Sequence, residues 1–487
     1  MSSKHRSLLE NIARRAMIER ELLPDFSPQV LQQLTQFDSS QSLLQEKPHI
    51  DLRHLPWCSI DNDDSKDLDQ LTVVQSWTKN FVQILVAVAD VDAFVKKGSP
   101  IDDHARLNTT SVYTAAQIFS MLPPKLSNDL TSLNCDQDRF ALVIEMNINQ
   151  EGKIQDSKIY SAIVRNHAKL AYKSVAAWLE GSEPAPEAIT KIETLSENLK
   201  LQDKTAQLMR KNRHEHGALN LETIQTRSIF QEDIIQNLEI DLKNRAKELI
   251  EDFMVGANIV TARFLKSRGL PSLRRVVRQP KRWDRIVEEA ALHNYKLPST
   301  PDSRALAHFL NQQKIVDPLA FPDLSLVIIK LMGRGEYVVE LPDEKDIGHF
   351  GLAVIDYTHS TAPNRRFPDL ITQRMLKAAL TGDTSAYQAD ELIKLAQHCT
   401  IKEDDATKVE RRVAKSAAAL LLSSHIGETF DAICTGAGEK GTWVRIFHPP
   451  IEGMLQSDCA GVDVGHRIKV KLIHTDVDKG YIDFRRT

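Results

Sequence analysis

Apolar and polar positions divide the chain into stretches of different period. Leu8, Leu9, Ile12, Ala13, Ala16 and Met17 recur at helical spacing within residues 6–24, and Pro24 stops the run. A second short helix is expected in "SPQVLQQLTQF", with Ser27 as N-cap and Pro28 at the first helical position. The polar stretch 38–48, "DSSQSLLQEKP", marks a first boundary. From 57 to 165 the period falls to two. "NFVQILVAVADV" and "RFALVIEMNINQEGKIQDSKIYSAIV" alternate around turn residues such as Gln150-Glu151-Gly152, which predicts strands. Residues 166–335 read mainly as helices, the longest being "NRAKELIEDFMVGANIVTARFLKSRG", which ends at Gly269 with Pro271 just beyond. Strands and helices return over 336–382, and another long helix is expected over about 402–426. The last 60 residues read as five short strands between Gly and Asp turns, the pattern of an OB-type barrel. The expected fold class is thus a mixed α/β (α+β) domain followed by a small all-β barrel and preceded by a short helical segment.

Composition narrows the picture little. At 487 residues the chain has length for two to four domains, and 42% apolar with 26% charged residues excludes a disordered or fibrous chain. The net charge of -4 gives no global sign of a polyanionic partner, so any such partner must meet local basic patches. Five cysteines, at 58, 135, 399, 434 and 459, show no CxxC spacing and are odd in number, which suits free thiols in a reducing cytosol. No apolar h-region follows the basic opening residues, and the longest apolar stretches, such as "LSLVIIKLM", are about half a membrane span. A cytoplasmic monomer with no membrane partner is expected.

"SIDNDDSKDLDQL", residues 59–71, changes it more, because Asp61, Asp63, Asp64, Asp67 and Asp69 fall within nine positions. Two unit charges about 4 Å apart repel by roughly 4 kcal/mol at an effective dielectric of 20. The carboxylates must therefore spread into water or share a cation. An Asp/Asn/Ser cluster alone is most often a solvated turn. An EF-hand loop counted from Asp61 would place Asp61, Asp63, Ser65, Asp67 and Asp69 at positions 1, 3, 5, 7 and 9. It fails at Lys66, where Gly is required, and at Thr72, where a bidentate Glu is required. A third reading is a site for one or two hard divalent cations that activate water against a phosphodiester.

"SIDNDDSKDLDQ" resembles the Asp-x5-Asp-x-Asp-Asp signature of the ribonuclease II family, whose catalytic unit is the RNB domain. The resemblance continues in order through "VAVADVDAFVKKGSPIDDHARLNTTSVY", "MLPPKLSNDLTSLN", "KNRAKELIEDFMVGANIVTARFL" and "HFGLAVIDYTHSTAPNRRFPDLITQRML". The terminal barrel is similar to the S1-type RNA-binding domain of many members. The implied organisation is an N-terminal helical segment (1–48), an RNB catalytic domain (49–385), a helical part completing it (386–426) and an S1-type OB-fold domain (427–487). The resemblance implies a processive 3′→5′ exoribonuclease that hydrolyses single-stranded RNA to nucleoside 5′-monophosphates, with Mg²⁺ as cofactor and Mn²⁺ as a substitute.

Residue by residue, it implies that Asp61, Asp67 and Asp69 hold metal, with Gln70 at the place of a fourth aspartate, and that Asp69 is the one on which catalysis most depends. Asp67, Asp69 and Arg365 form the implied catalytic set. Arg365 in "APNRRFPDL" falls on an arginine that contacts the scissile phosphate, where a guanidinium fork suits phosphate oxygens. Arg366 beside it is phosphate-binding or structural. Tyr113 matches an aromatic at the RNA 3′ end, Leu221 stands where a second aromatic clamps the terminal bases, and Glu410 aligns near that clamp. The basic segment 266–285, with Arg274 and Arg275, is placed along the RNA channel, and Trp443, Phe447 and His448 on the barrel's base-stacking surface. Without the resemblance, Tyr113 and Trp443 read as core aromatics, Glu410 and 266–285 as solvated charge, and Arg365–Arg366 as surface cations ahead of a helix.

Three departures matter. Gln70 brings no charge, so weaker metal affinity or recruitment of Asp92 is expected. Leu221 cannot replace aromatic stacking worth about 1–3 kcal/mol per base. About 50 residues precede the catalytic unit where larger relatives carry two cold-shock barrels, which suggests an open RNA entrance. The rival reading is a weakened or inactive RNA-binding protein of the same fold. Of the five aspartates, Asp61, Asp67 and Asp69 are expected to gather around cations while Asp63 and Asp64 face solvent.

Overall fold

Strands that are apolar on both faces need cover on both sides, and the strand Asp138–Asn149 sits at such a place: every side chain from Arg139 to Met146 is buried. In the computed structural model, which describes residues 5–37, 50–342, 347–383, 386–438 and 441–487, it lies inside a seven-stranded sheet. The order across that sheet is Ile50–Asp51, Ile154–Arg165, Asp138–Asn149, Phe81–Ala89, Gln70–Trp77, Cys58–Asp61 and Ala168–Ala171. The inner pairs are antiparallel; Ile50–Asp51 and Ala168–Ala171 join their neighbours in parallel. Helices Leu195–Glu215, Arg245–Ser267 and Phe367–Thr381 add Leu199, Phe253 and Leu370 to the same core. Pro368 opens the last of these helices, and Gly382, with φ of 77°, closes it.

Residues 166–335 carry more strand than their pattern suggests. Ala168–Ala171 completes the sheet, Ser272–Val276 pairs with Glu336–Glu340, and Thr226–Gln231 forms a hairpin with Ile234–Ile240. That hairpin turns on Glu232 and Asp233, both at positive φ (49° and 66°), a conformation usually signalled by Asn-Gly. The final long helix, Ala389–Leu422, starts well before the expected 402, because no Gly or Pro interrupts the chain there. Its first half, with Leu392 and Cys399, belongs to the main core. Its second half, with Val409, Val413 and Ala417, belongs to another core shared with the barrel and the N-terminal helix His5–Ile18.

The barrel is closed, with strands ordered Thr429–Gly438, Gly441–Ile446, Glu452–Ser457, Tyr481–Arg486 and Arg467–Asp476. Leu9, Ile12, Ala13, Ala16 and Met17 of the first helix are fully buried in the shared core, so the opening helix is a packed strut, and Arg15 reaches the barrel at Asp478. The polar stretch expected to mark the first boundary, 38–48, lies outside the described residues. No helix among the described residues is long and apolar enough to cross a membrane. All five cysteines are free thiols.

Candidate active site

The aspartate loop runs from the end of one strand to the start of another. Asp61 closes Cys58–Asp61, and Asp69 immediately precedes Gln70–Trp77, with its carbonyl accepting the Ala89 N–H. Asp61 Oδ1 accepts the Asn62 N–H at 2.7 Å and the Ser65 hydroxyl at 3.0 Å, a local cap that folds the loop back. The loop's like charge is offset by cations from three other segments. Lys169 Nζ donates to the Ser65 and Asp63 carbonyls, Arg227 pairs with Asp64 at 3.2 Å, and Arg365 pairs with Asp69. Asp63 and Asp64 are exposed as expected, but Asp64 is engaged by the 226–240 hairpin.

Asp69 is 2% exposed. Its Oδ1 accepts the Asn364 N–H at 3.0 Å and its Oδ2 accepts Arg365 Nε at 3.1 Å. Burial pushes its carboxyl up to about 7, with Arg365 pulling the other way and Asp67 adding to the rise. Burial also raises Asp61. Asp67, half-buried, accepts the Tyr113 hydroxyl at 3.2 Å, and the Tyr113 N–H donates to Glu410 Oε1 at 2.9 Å. Tyr113 is 40% exposed, so its ring presents a face beside the carboxylates.

The arginine turn, 362–366, is built as firmly. Asp369, fully buried, accepts the Ala362 N–H and the Arg366 guanidinium, both at 2.8 Å. The Arg365 carbonyl accepts from the Ser111 N–H and the Thr110 hydroxyl, which docks the turn on the segment leading to Tyr113. The structure thus brings together Asp61, Asp67, Asp69, Arg365, Tyr113 and Glu410. Tyr172, which the sequence reading missed, joins them: it opens the helix Tyr172–Leu179 directly after Ala171, which pairs with Asp61, and burial together with the Asp61 charge raises its phenol. The only signal for it was an aromatic just after a four-residue strand, at the first position of a helix.

Other expectations are corrected. Arg274 is 2% exposed and bound to Glu340 at 3.0 Å, so it is an interior ion pair and not a channel residue. Arg275 is committed to Glu403 and lies over the Tyr337 ring. Arg366, expected as phosphate-binding or structural, has its guanidinium held by Asp369. Leu221 packs in a separate cluster with Trp283, Phe309 and Phe321, while Glu410 belongs to Tyr113, so the two do not form one clamp. Asp92 is not recruited to the loop. Burial works against its charge, yet Lys377, Lys96 and Arg374 hold its carboxyl below the usual range in a separate network. Trp443 is half-buried on the barrel, its ring beside Gly436 and Gly441.

Nor are the expected metal ligands drawn into a ready cage, since among the described residues no three carboxylate, imidazole or thiol groups gather as one. Asp69 is turned to Arg365, and the neighbouring Asp67 charge opposes its ionisation. The donor set still fits a hard divalent cation, being all-oxygen, with Asp67 and Arg365 both within electrostatic reach of Asp61 and of Asp69. Gln70, half-buried opposite Val88 at the start of its strand, could add a carbonyl oxygen but no charge.

Comparison with known proteins places this geometry. Residues 49–382 match the RNB domain, and residues 428–487 match the RNase II-type exonuclease C-terminal S1 domain. Ribonuclease R of Escherichia coli (strain K12) is 30% identical over 479 residues, covering 89% of this chain and 57% of its own length, so the chain spans little more than half of that relative. Among solved structures, the apo form of Mycoplasma genitalium RNase R superposes with a TM-score of 0.87 at 24% identity, over 98% of this chain and 78% of that one. The same protein in complex with double-stranded RNA gives 0.86 at 25% identity, over 98% and 83%.

Proposed function

Because the chain belongs to the RNB-domain family and ends in an RNase II-type S1 domain, we propose that it is a 3′→5′ exoribonuclease, hydrolysing single-stranded RNA processively to nucleoside 5′-monophosphates. The observation that carries this reading is the meeting of Asp69, Arg365, Asp67 and Tyr113, from three distant segments, in one cluster joined by the Arg365–Asp69 pair and the Tyr113–Asp67 hydrogen bond. Asp61, Asp67 and Asp69 would hold Mg²⁺, or Mn²⁺ in its place, with Gln70 as a neutral fourth donor. When bound, the metal supplies an activated water and neutralises charge on the phosphate.

The chain's own groups do the rest. Arg365, whose side chain is 41% exposed, keeps guanidinium N–H groups beyond its bond to Asp69 for the phosphate oxygens as charge develops on them. Tyr113 offers its ring to the terminal base, and in the free chain its hydroxyl bonds Asp67. Glu410 fixes the Tyr113 backbone. Trp443 on the barrel would stack on RNA further from the cut. The catalytic unit is 49–385 completed by 386–426, with 427–487 as the RNA-binding barrel and 1–48 as a helical brace. The free thiols suit a cytoplasmic protein, and we take it to be a monomer.

The test uses a 5′-labelled unstructured RNA with Mg²⁺, resolved at single-nucleotide length, for wild type and Asp69→Asn. Progressive shortening to a short end product by the wild type, with binding but no cleavage by Asp69→Asn, is expected. A second reading, an RNA-binding protein without catalysis, draws on the uncharged Gln70 and the absence of a gathered carboxylate cage among the described residues. Binding without shortening by the wild type, in Mg²⁺ and in Mn²⁺, would select it.

A further inference from the structure

Between the aspartate loop and the arginine turn lies a buried segment, residues 131–133, that touches both. It follows a short π-helical turn, Leu126–Leu130, a departure from regular helix that often marks functional sites. Ser132 is fully buried. Its Oγ accepts the Leu68 N–H at 2.9 Å and lies 2.8 Å from the Lys66 carbonyl, to which it donates; Asn134 Oδ1, at 3.0 Å, is the longer alternative for the same proton. One hydroxyl therefore bonds the peptide groups on both sides of Asp67.

The neighbours of Ser132 extend the grip. The Leu133 N–H donates to the Leu68 carbonyl at 2.9 Å, on the peptide that leads into Asp69. The Thr131 hydroxyl bonds the side-chain amide of Asn364 at 2.5 Å, and it is the Asn364 N–H that holds Asp69. The segment is itself anchored. Arg139, buried in the central sheet, donates to the Ser132 carbonyl at 3.0 Å, and Asn166 ties the Leu133 carbonyl to the Ser59 hydroxyl of the strand that ends in Asp61.

Asp67 needs such a device more than its neighbours do. Asp69 is buried and fixed by two bonds, and Asp61 is capped by its own loop. Asp67 is half-exposed, and its carboxylate accepts from a Tyr113 hydroxyl that a base stacking on the ring could displace. Its direction is then set by its backbone. We propose that Ser132 is a positioning residue: by bonding both peptide groups that flank Asp67, it aims the Asp67 carboxylate at the divalent cation and the scissile phosphate. The inference rests on the exoribonuclease reading for the phosphate, and on the fit of the carboxylates to a hard cation for the metal.

The experiment measures three quantities on the full chain for wild type, Ser132→Ala, Asp67→Ala and the double variant: Mn²⁺ affinity by calorimetry, kcat and KM on unstructured RNA, and Tm. For Ser132→Ala we expect about a tenfold loss of Mn²⁺ affinity and a tenfold or greater loss of kcat, with KM within twofold of wild type. In the Asp67→Ala background the same substitution should cost less than twofold further, because its effect passes through the missing carboxylate. A merely structural role would lower Tm and act equally in both backgrounds, and that result overturns the proposal. Unchanged Mn²⁺ affinity in Ser132→Ala overturns it too, as does a wild type whose Mn²⁺ binding is indifferent to Asp67→Ala. A wild type that binds Mn²⁺ through Asp67 yet leaves RNA uncut sinks the exoribonuclease reading alone, and Ser132 is then judged on Mn²⁺ affinity. If Ser132→Ala does not fold, Ser132→Cys, which keeps the bulk but bonds poorly, carries the same expectations.

Discussion

At the scale of single residues, the site keeps charges where their solvation is poorest. Asp69 illustrates the cost. Its folded-state value of about 7 lies above the ordinary 3.8, so the folded chain holds this proton more tightly than the unfolded one. The sign follows: its ionisation takes nothing from stability below pH 4, takes more as pH rises, and levels off above pH 7. A shift of this size sets an upper bound on the order of 4 kcal/mol, from which the loss of the Arg365 pair must be taken when Asp69 is replaced. In buffer free of divalent ions, Asp69→Asn should therefore melt higher than wild type at pH 8, by an amount worth about 1–2 kcal/mol, and equal to it at pH 4. Calorimetric scans at the two pH values check this; an advantage that persists at pH 4 would rule out the titration as its source. Asp369 behaves oppositely, because it is fully buried and its removal strands the Arg366 guanidinium. Asp369→Ala should cost about 3–5 kcal/mol in urea unfolding.

At the scale of elements, what the chain revealed in advance was what periodicity encodes. The alternation in "RFALVIEMNINQEGKIQDSKIYSAIV" is the hairpin Asp138–Asn149 with Ile154–Arg165, and the 3.6-residue stripe around Phe253 is the helix Arg245–Ser267. The hairpin at 226–240 stayed hidden because its turn uses Glu232-Asp233. The basic run 266–285 misled for a different reason. Counting its cations says nothing of partners that come from 336, 340 and 403, which only the tertiary fold brings near. For the same reason Asp67, Asp69 and Arg365 were legible as a motif, while Ser132, Tyr172 and Asp369 were not: their roles are contacts, which a residue type in sequence does not announce. One buried ion pair adds to the shared core in fixing the barrel. Arg445 on Gly441–Ile446 meets Asp323 in the helix Phe321–Met332 through two bonds of 2.6 and 2.9 Å, with the side chains 12% and 7% exposed. Arg445→Ala leaves a buried carboxylate alone and should free the barrel to melt as a separate, earlier transition. Arg445→Met with Asp323→Leu should restore a single transition, because a buried pair replaced whole by apolar groups loses little. Calorimetric traces that stay single for Arg445→Ala would mean the core shared with the helices His5–Ile18 and Ala389–Leu422 holds the barrel without this pair.

At the scale of the whole molecule, the question is where a polyanion can be gripped by a chain with 62 Lys and Arg against 66 Asp and Glu. Within the run 266–285, Arg274, Arg275 and Arg278 are spent on Glu340, Glu403 and Glu336. The barrel differs. Lys471 and Arg485 stand directly opposite each other on adjacent strands, and Arg467 and Arg486 are exposed on the same two strands. Like charges at facing positions destabilise a sheet, and a ligand that neutralises both would offset that cost. If they meet RNA phosphates, each contact releases a counterion, and affinity falls with salt by a slope of about 0.7 per neutralised phosphate on a single strand. Lys471→Glu with Arg485→Glu should then weaken RNA binding alike for every sequence and flatten the plot of log K against log salt by about 1.4. Neither residue touches the aspartate loop, so once RNA is saturating, the rate of each cleavage should stay within twofold of wild type while fewer nucleotides are removed per encounter. An unchanged salt slope would move the RNA path off this face of the barrel and leave the facing cations to some other anion.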